Sequence, residues 1–147
     1  INCEEFGVDH LADDKWSWGG YWSSYKNPEL YIDFGKKRKV KSIILYGINV
    51  RSVLFEMEVC DIFTDELIET IPYGKTLENI SYITTGNYET YIRKIELSEE
   101  VDIEGIKIKF KGTDRKKVLA LREIQCEISM DEEFEIIQNW IMAKEDL

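Results

Sequence analysis

The sequence predicts an all-β protein, an antiparallel sandwich or barrel, ending in an amphipathic α-helix. Three observations carry this. Roughly eight short runs of alternating or β-branched apolar residues are separated by Gly, Pro, Asn and Ser turn signals. No strand–helix–strand alternation occurs, which argues against a parallel α/β sheet. Only the last stretch changes its apolar spacing from the strand period to the helix period.

Residues 1–9 read as a short strand and a turn. Residues 10–28 read as loop, with turn chemistry at Gly19-Gly20, Ser23-Ser24 and Asn27-Pro28. In residues 29–34, Leu30, Ile32 and Phe34 share one face of a strand, and Tyr31 and Asp33 share the other. Residues 40–46 are nearly continuous in apolar character, as a central strand covered on both faces requires. Phe55, Met57 and Val59 then alternate with Glu56, Glu58 and Cys60. A shorter strand over 66–71 ends at Pro72-Tyr73-Gly74. Residues 75–89 read as a long connection holding one weak strand. Residues 90–97 form another strand. Ile106, Ile108 and Phe110 alternate with Lys107, Lys109 and Lys111, a half-buried strand. Residues 118–128 close the set.

In residues 130–144, Phe134, Ile137 and Ile141 fall at helical spacing, widened by Ile136 and Trp140. Ser129 and Glu132 form a capping-box pattern. Acids lie in the first turn and Lys144 at the other end, as the helix dipole favours. The expected organisation is therefore a β-domain over 1–128 and a helix over 129–147. That helix packs on its own sandwich, or it meets a neighbouring domain or a second copy.

The 147 residues suffice for one domain with a core. No apolar run reaches the ~20 residues of a membrane-spanning helix. Acids outnumber bases 29 to 19, a net charge of −10, which argues against nucleic acid and anionic membrane as partners. The basic run Lys36-Lys37-Arg38-Lys39 reads as a solvated turn. Three cysteines are too few for a disulfide scaffold, and a single histidine, His10, excludes a His-pair zinc site. No Gly-x-Ser-x-Gly elbow and no paired acids with a supporting motif are present, so the chain is read as non-catalytic. It begins at Ile1 rather than Met and reads as a segment of a larger protein.

Four motifs then line up: Ala12-Asp13-Asp14, Tyr21-Trp22-Ser23-Ser24, Tyr31-Ile32-Asp33-Phe34-Gly35 and Ser42-Ile43-Ile44-Leu45. With Phe55 to Val59, Ile106 to Ile108 and Leu121-Arg122-Glu123-Ile124, they resemble the discoidin-like domains, the coagulation factor five/eight C-terminal type. The resemblance covers about residues 1–128. It implies a galactose-binding-like jelly roll, in the manner of family 32 carbohydrate-binding modules. Other members are adhesion domains and a ubiquitin-ligase substrate receptor, and fold alone does not choose among them.

The resemblance makes Trp22 a core residue. It implies a sugar site formed by Glu5 (or Glu4), Ser23, Tyr25 and Arg51, with Ser23 standing where sugar binders often carry His. Trp18, and less so Trp16, lie in a Ser/Gly-rich loop where an indole could stack on a sugar. His10 and Arg115 could border the same end. The family's loop also implies a structural calcium, for which Asp13 and Glu123 would supply carboxylates. Asp14 and Gly20 depart from that loop's usual Gly and Thr, and the alternative is a solvated Asp13 with Glu123 bonded to backbone. Family members often join Cys3 and Cys126 by a disulfide; two buried thiols are the alternative.

Two functions follow as expectations. One is a lectin-like accessory module of an extracellular or cell-surface protein. It binds a terminal galactose or N-acetylhexosamine of a glycan or glycoprotein. The other is a cytoplasmic protein-interaction module of the same fold.

Overall fold

The structure is a computed structural model that describes residues 22–77, 80–85, 88–113, 116–130, 133–137 and 141–144. The predicted strand over 1–9 lies outside them. Among the described residues, nine strands form one antiparallel sheet: β1 (Trp22–Ser24), β2 (Glu29–Gly47), β3 (Glu56–Asp61), β4 (Leu67–Ile71), β5 (Ile80–Thr85), β6 (Tyr88–Lys111), β7 (Leu119–Met130), β8 (Glu133–Ile137) and β9 (Ile141–Lys144). The all-β prediction holds. The described residues contain no α-helix, only short 3₁₀ turns.

Two pairs of predicted strands are each a single long strand. Residues 29–34 and 40–46 both belong to β2, and residues 90–97 and 106–110 both belong to β6. β2 and β6 pair along most of their length and form the spine of the molecule. Their register shifts between Asp33 and Arg38, where β2 carries more residues than the facing stretch of β6. Gly35 turns the chain there at φ 78, with its N–H held by Asp33 Oδ1 at 2.8 Å. Lys36 and Lys37 are the exposed part of this bulge. The three lysines of the basic run are exposed as expected, but Arg38 is half-buried, and the run lies inside a strand rather than between two.

The irregularity divides the sheet into two halves. In one, β2 residues 38–47 lie between β6 and β7, and β5 extends the β6 side. β1 and β8 pair with opposite ends of β7. In the other half, β2 residues 29–33 lie between β6 and β9, and β3 and β4 extend the β6 side. Leu30 and Ile32 from one half share a single buried cluster with Ile43, Leu45 and Ile124 from the other, so the arrangement is sandwich-like. Ile43, Ile44 and Leu45 are all buried, as a strand covered on both faces requires, and Ser42 beside them is buried too. Trp22 is fully buried, as expected of a core anchor. β5 lies outermost beside β6, and its uncharged Tyr82 and Ile83 are exposed.

The predicted C-terminal helix over 129–147 is corrected: among the described residues of that stretch, 133–137 and 141–144 are strands and 129–130 end β7. Met130 pairs with Glu133 and Cys126 with Ile137, so β8 folds straight back on β7. β9 pairs with β2, from Glu29↔Lys144 to Ile32↔Ile141. Phe134 and Ile136 alternate as well as they fit a helix, and runs this short do not separate the two periods. β-branched Ile136, Ile137 and Ile141 favour strand, and the edges of β7 and β2 offer a row of backbone groups that an added strand pairs. The described strands of the tail, β8 and β9, are thus part of the sheet.

Cys126 carries a free, buried thiol in line with Ile124 and Ile128. Its predicted disulfide partner Cys3 lies outside the described residues. Cys60 keeps the face of Glu56 and Glu58 that parity gives it, because β3 runs in unbroken register with β6 from Glu56↔Lys111 to Asp61↔Ile106, and it is nonetheless buried there.

Candidate functional site

The site is built where four connections meet at one end of the sheet: residues 25–28, 48–55, 72–77 and 111–118. Ser23 faces Ala120 across the β1–β7 pair, and Ile48 donates its N–H to the Ala120 carbonyl at 3.2 Å. The chain past β1 and the chain past β2 therefore leave the sheet side by side.

Asn27 ties the first connection to the last. Its backbone adopts φ 44, a conformation Asn tolerates better than most residues. Its side-chain oxygen accepts from the N–H groups of Gly112 and Thr113 at 3.1 and 3.2 Å. The Thr113 hydroxyl donates to the same oxygen at 3.1 Å and accepts the Asn27 N–H at 2.5 Å.

The connection after β2 is a 3₁₀ turn, Val50–Val53, capped by the Asn49 side chain, which accepts from the Ser52 N–H at 3.0 Å. Ser52 and Val53 are buried, and this anchor leaves Arg51 exposed. Arg51 forms no ion pair among the described residues.

Beside Arg51 lies a cleft of about 350 Å³ lined by Leu54, Phe55, Tyr73, Lys116 and Lys117. A second depression of about 170 Å³ shares Leu54, Phe55, Tyr73 and Lys117 with it and adds Glu56, Lys111 and Gly112. The two form one groove. Phe55 is buried and makes its floor, while Tyr73 is 53% exposed on its wall. Lys111 is also ion-paired with Glu58. An apolar floor, an accessible ring and several cations can hold a ring-shaped polar ligand. No nucleophile–base pair lines the groove.

Of the residues expected to bind, Arg51 lines this groove, and Ser23 and Tyr25 stand at the same end without lining it. Tyr25 is 42% exposed, with Lys26 Nζ 5.9 Å from its ring centre. Glu5, His10, Asp13, Trp16, Trp18 and Arg115 lie outside the described residues. Glu123 is fully buried beside the β7 irregularity at Tyr46 and Gly47. Among the described residues no group of three or more His, Cys, Asp or Glu side chains could hold a metal ion, and Asp13, the other expected calcium ligand, lies outside them.

Sequence reasoning missed Tyr73, Lys116 and Lys117 as site residues. The signal for Tyr73 was present: an aromatic ring between Pro72 and Gly74, in a turn too short to bury it.

The alternating lysines of β6 are largely neutralised. Lys107 and Lys109 both meet Asp65, the latter at 3.3 Å. These ammonium groups donate to the Asp65 carboxylate and lower its pKa. On the same face Tyr31 donates to Glu29 at 2.5 Å, and burial, then that carboxylate, pushes its phenol up to about 12.

Comparison of the chain with protein-family models, with curated proteins and with solved structures finds no match in any of the three.

Proposed function

We propose that the chain is a non-catalytic carbohydrate-binding module that holds a terminal sugar in the groove between Arg51 and Tyr73. The observation that carries this reading is the groove itself. An exposed phenol ring and apolar Leu54 and Phe55 face one side, and an arginine with no ion pair among the described residues stands at its margin. A sugar has a C–H face that packs on a ring and an edge of hydroxyls that accept from a guanidinium. The finer fold assignment, a galactose-binding-like jelly roll, belongs to the same proposal. It is supported by β1 pairing with the closing strand β7 and by the buried Trp22 of the discoidin-like pattern.

Glycan-array screening followed by calorimetric titration tests the reading. Binding should fall at least about tenfold, or about 1.4 kcal/mol, in Arg51→Ala and in Tyr73→Ala, with both variants folded. A folded wild-type chain that binds no glycan contradicts it.

The second reading, an intracellular protein-interaction module, is favoured by the free thiols of Cys60 and Cys126. Thiol counting on native protein from its own cells separates the two. Three free thiols support the intracellular reading, and a single one supports the extracellular module.

A further inference from the structure

We propose that the chain also binds a basic, extended peptide segment of a partner protein, which adds as a strand to the outer edge of β4. β4 pairs with β3 on one side and with no described strand on the other. Its outer edge therefore presents a row of backbone N–H and C=O groups. A groove runs beside that edge. Two depressions, of about 400 and about 220 Å³, share Ile68 and Val101 and so are continuous. Their lining comes from residues 61–69 and from residues 98–103 of β6, two stretches described without a gap. Leu67, Ile68, Val101 and Ile103 give it an apolar surface, of which Leu67 is 52% exposed.

Charge decides the occupant. Asp61, Glu66, Glu69, Glu99 and Asp102 line the groove, and no described lysine or arginine does. None of these acids forms an ion pair among the described residues, although Lys39 faces Asp102 across the β2–β6 pair. Asp61 Oδ1 accepts from the N–H groups of Phe63 and Thr64 at 2.9 and 3.1 Å, and Glu69 Oε1 from the Ser98 N–H at 2.8 Å. These bonds position two carboxylates without neutralising them. No three acids among the described residues gather closely enough to hold a metal ion. The negative charge is instead spread along the groove. An added strand presents a side chain to one face about every 7 Å, which matches a spread field better than a single divalent ion does. Lysine and arginine stems lie along Ile68 and Val101 while their cationic heads reach the carboxylates. A second copy of the chain fits poorly, because pairing β4 with β4 sets these acids against themselves. The surface shares no lining residue with the groove at Arg51, so it stands apart from the sugar reading.

Fluorescence anisotropy on the full chain tests this with short labelled peptides. The probes are an alternating Lys-Val peptide, its Ser-Val and Glu-Val counterparts, and the Lys-Val peptide with alternate backbone amides N-methylated. Spermine serves as a cation without a peptide backbone. The Lys-Val peptide should bind at least about tenfold tighter than the Ser-Val or Glu-Val one, with the gap closing as salt rises. N-methylation should weaken it at least about fivefold, and hydrogen exchange should slow at Leu67–Ile71 on binding. Glu99→Gln/Asp102→Asn should also weaken it at least about fivefold, with thermal melts showing that the variant folds. If the Ser-Val peptide binds as tightly, the charge argument is overturned. If spermine displaces the peptide and N-methylation has no effect, the groove is a cation site and strand addition is overturned. Slowed exchange at Ile80–Thr85 instead would put the segment on β5 and overturn the assignment to β4. A chain that sediments as a dimer, with Leu67–Ile71 protected before peptide is added, carries a second copy on this edge, which overturns it too. If no peptide binds, the proposal falls, and the sugar reading is untouched.

Discussion

Gly105 sits where β6 passes β2 just before the register irregularity. A Cβ there would meet the Ile32 carbonyl oxygen at 2.4 Å, Ile62 Cγ2 at 2.9 Å and Asp33 Cα at 3.1 Å. Two of these are backbone atoms of the paired strand and cannot rotate away. Gly105→Ala should therefore destabilise the fold by roughly 1–3 kcal/mol, read as a lower urea midpoint with an unchanged slope. Cys126 makes a different demand. Desolvation pushes its thiol from 9.0 up to about 12. The folded chain then holds this proton more tightly than the unfolded chain does. The contribution is complete below pH 9.0 and is lost as pH rises toward about 12. Urea midpoints should fall across that window, and Cys126→Ala should make the fall shallower. Tyr31, raised from 10.0 to about 12, adds to the same decline and remains in the variant.

Among the elements, the joint between the 25–28 and 111–118 connections depends on one side chain. Asn27→Gly keeps the φ 44 backbone accessible but removes three acceptor contacts to Gly112 and Thr113. A loss of about 1–3 kcal/mol in thermal stability should follow, with a further drop in Asn27→Ala from the left-handed backbone. Element identity was legible in the sequence wherever one period ruled. The alternation of Ile106, Ile108 and Phe110 gave an inward face, and the unbroken Ile43-Ile44-Leu45 gave a strand covered on both sides. It was not legible where both periods fitted, as in residues 133–137, because the edge of β7 decides there and an edge is a tertiary fact. Cys60 lies on the face its parity gives, and only its burial there was not legible in the sequence. The site was less legible still. Arg51 could be picked out between two apolar strands, but its companions Tyr73, Lys116 and Lys117 come from other connections and meet it only after folding.

At the scale of the whole molecule, β2 and β6 leave no seam between the two halves. Each strand runs through both, and the core residues of both belong to one cluster. Unfolding should accordingly be a single cooperative event. Cys60 in the β3 half and Cys126 in the β7 half report on it separately. Pulse thiol labelling along a urea series should give them the same midpoint, whereas two midpoints would show that the halves melt independently.

That shared spine also governs time. Its defining pairs, such as Glu29↔Lys109 and Gly47↔Tyr91, join residues far apart in the chain. A nascent chain must close large loops before these contacts stabilise it, which places such topologies among millisecond-to-second folders. Throughout that interval β5 offers an uncharged stretch, Ile80 to Thr85, as a template for any other copy waiting to fold. Refolding yield should therefore depend on protein concentration, because partner chains compete with the chain's own β6 for the same backbone.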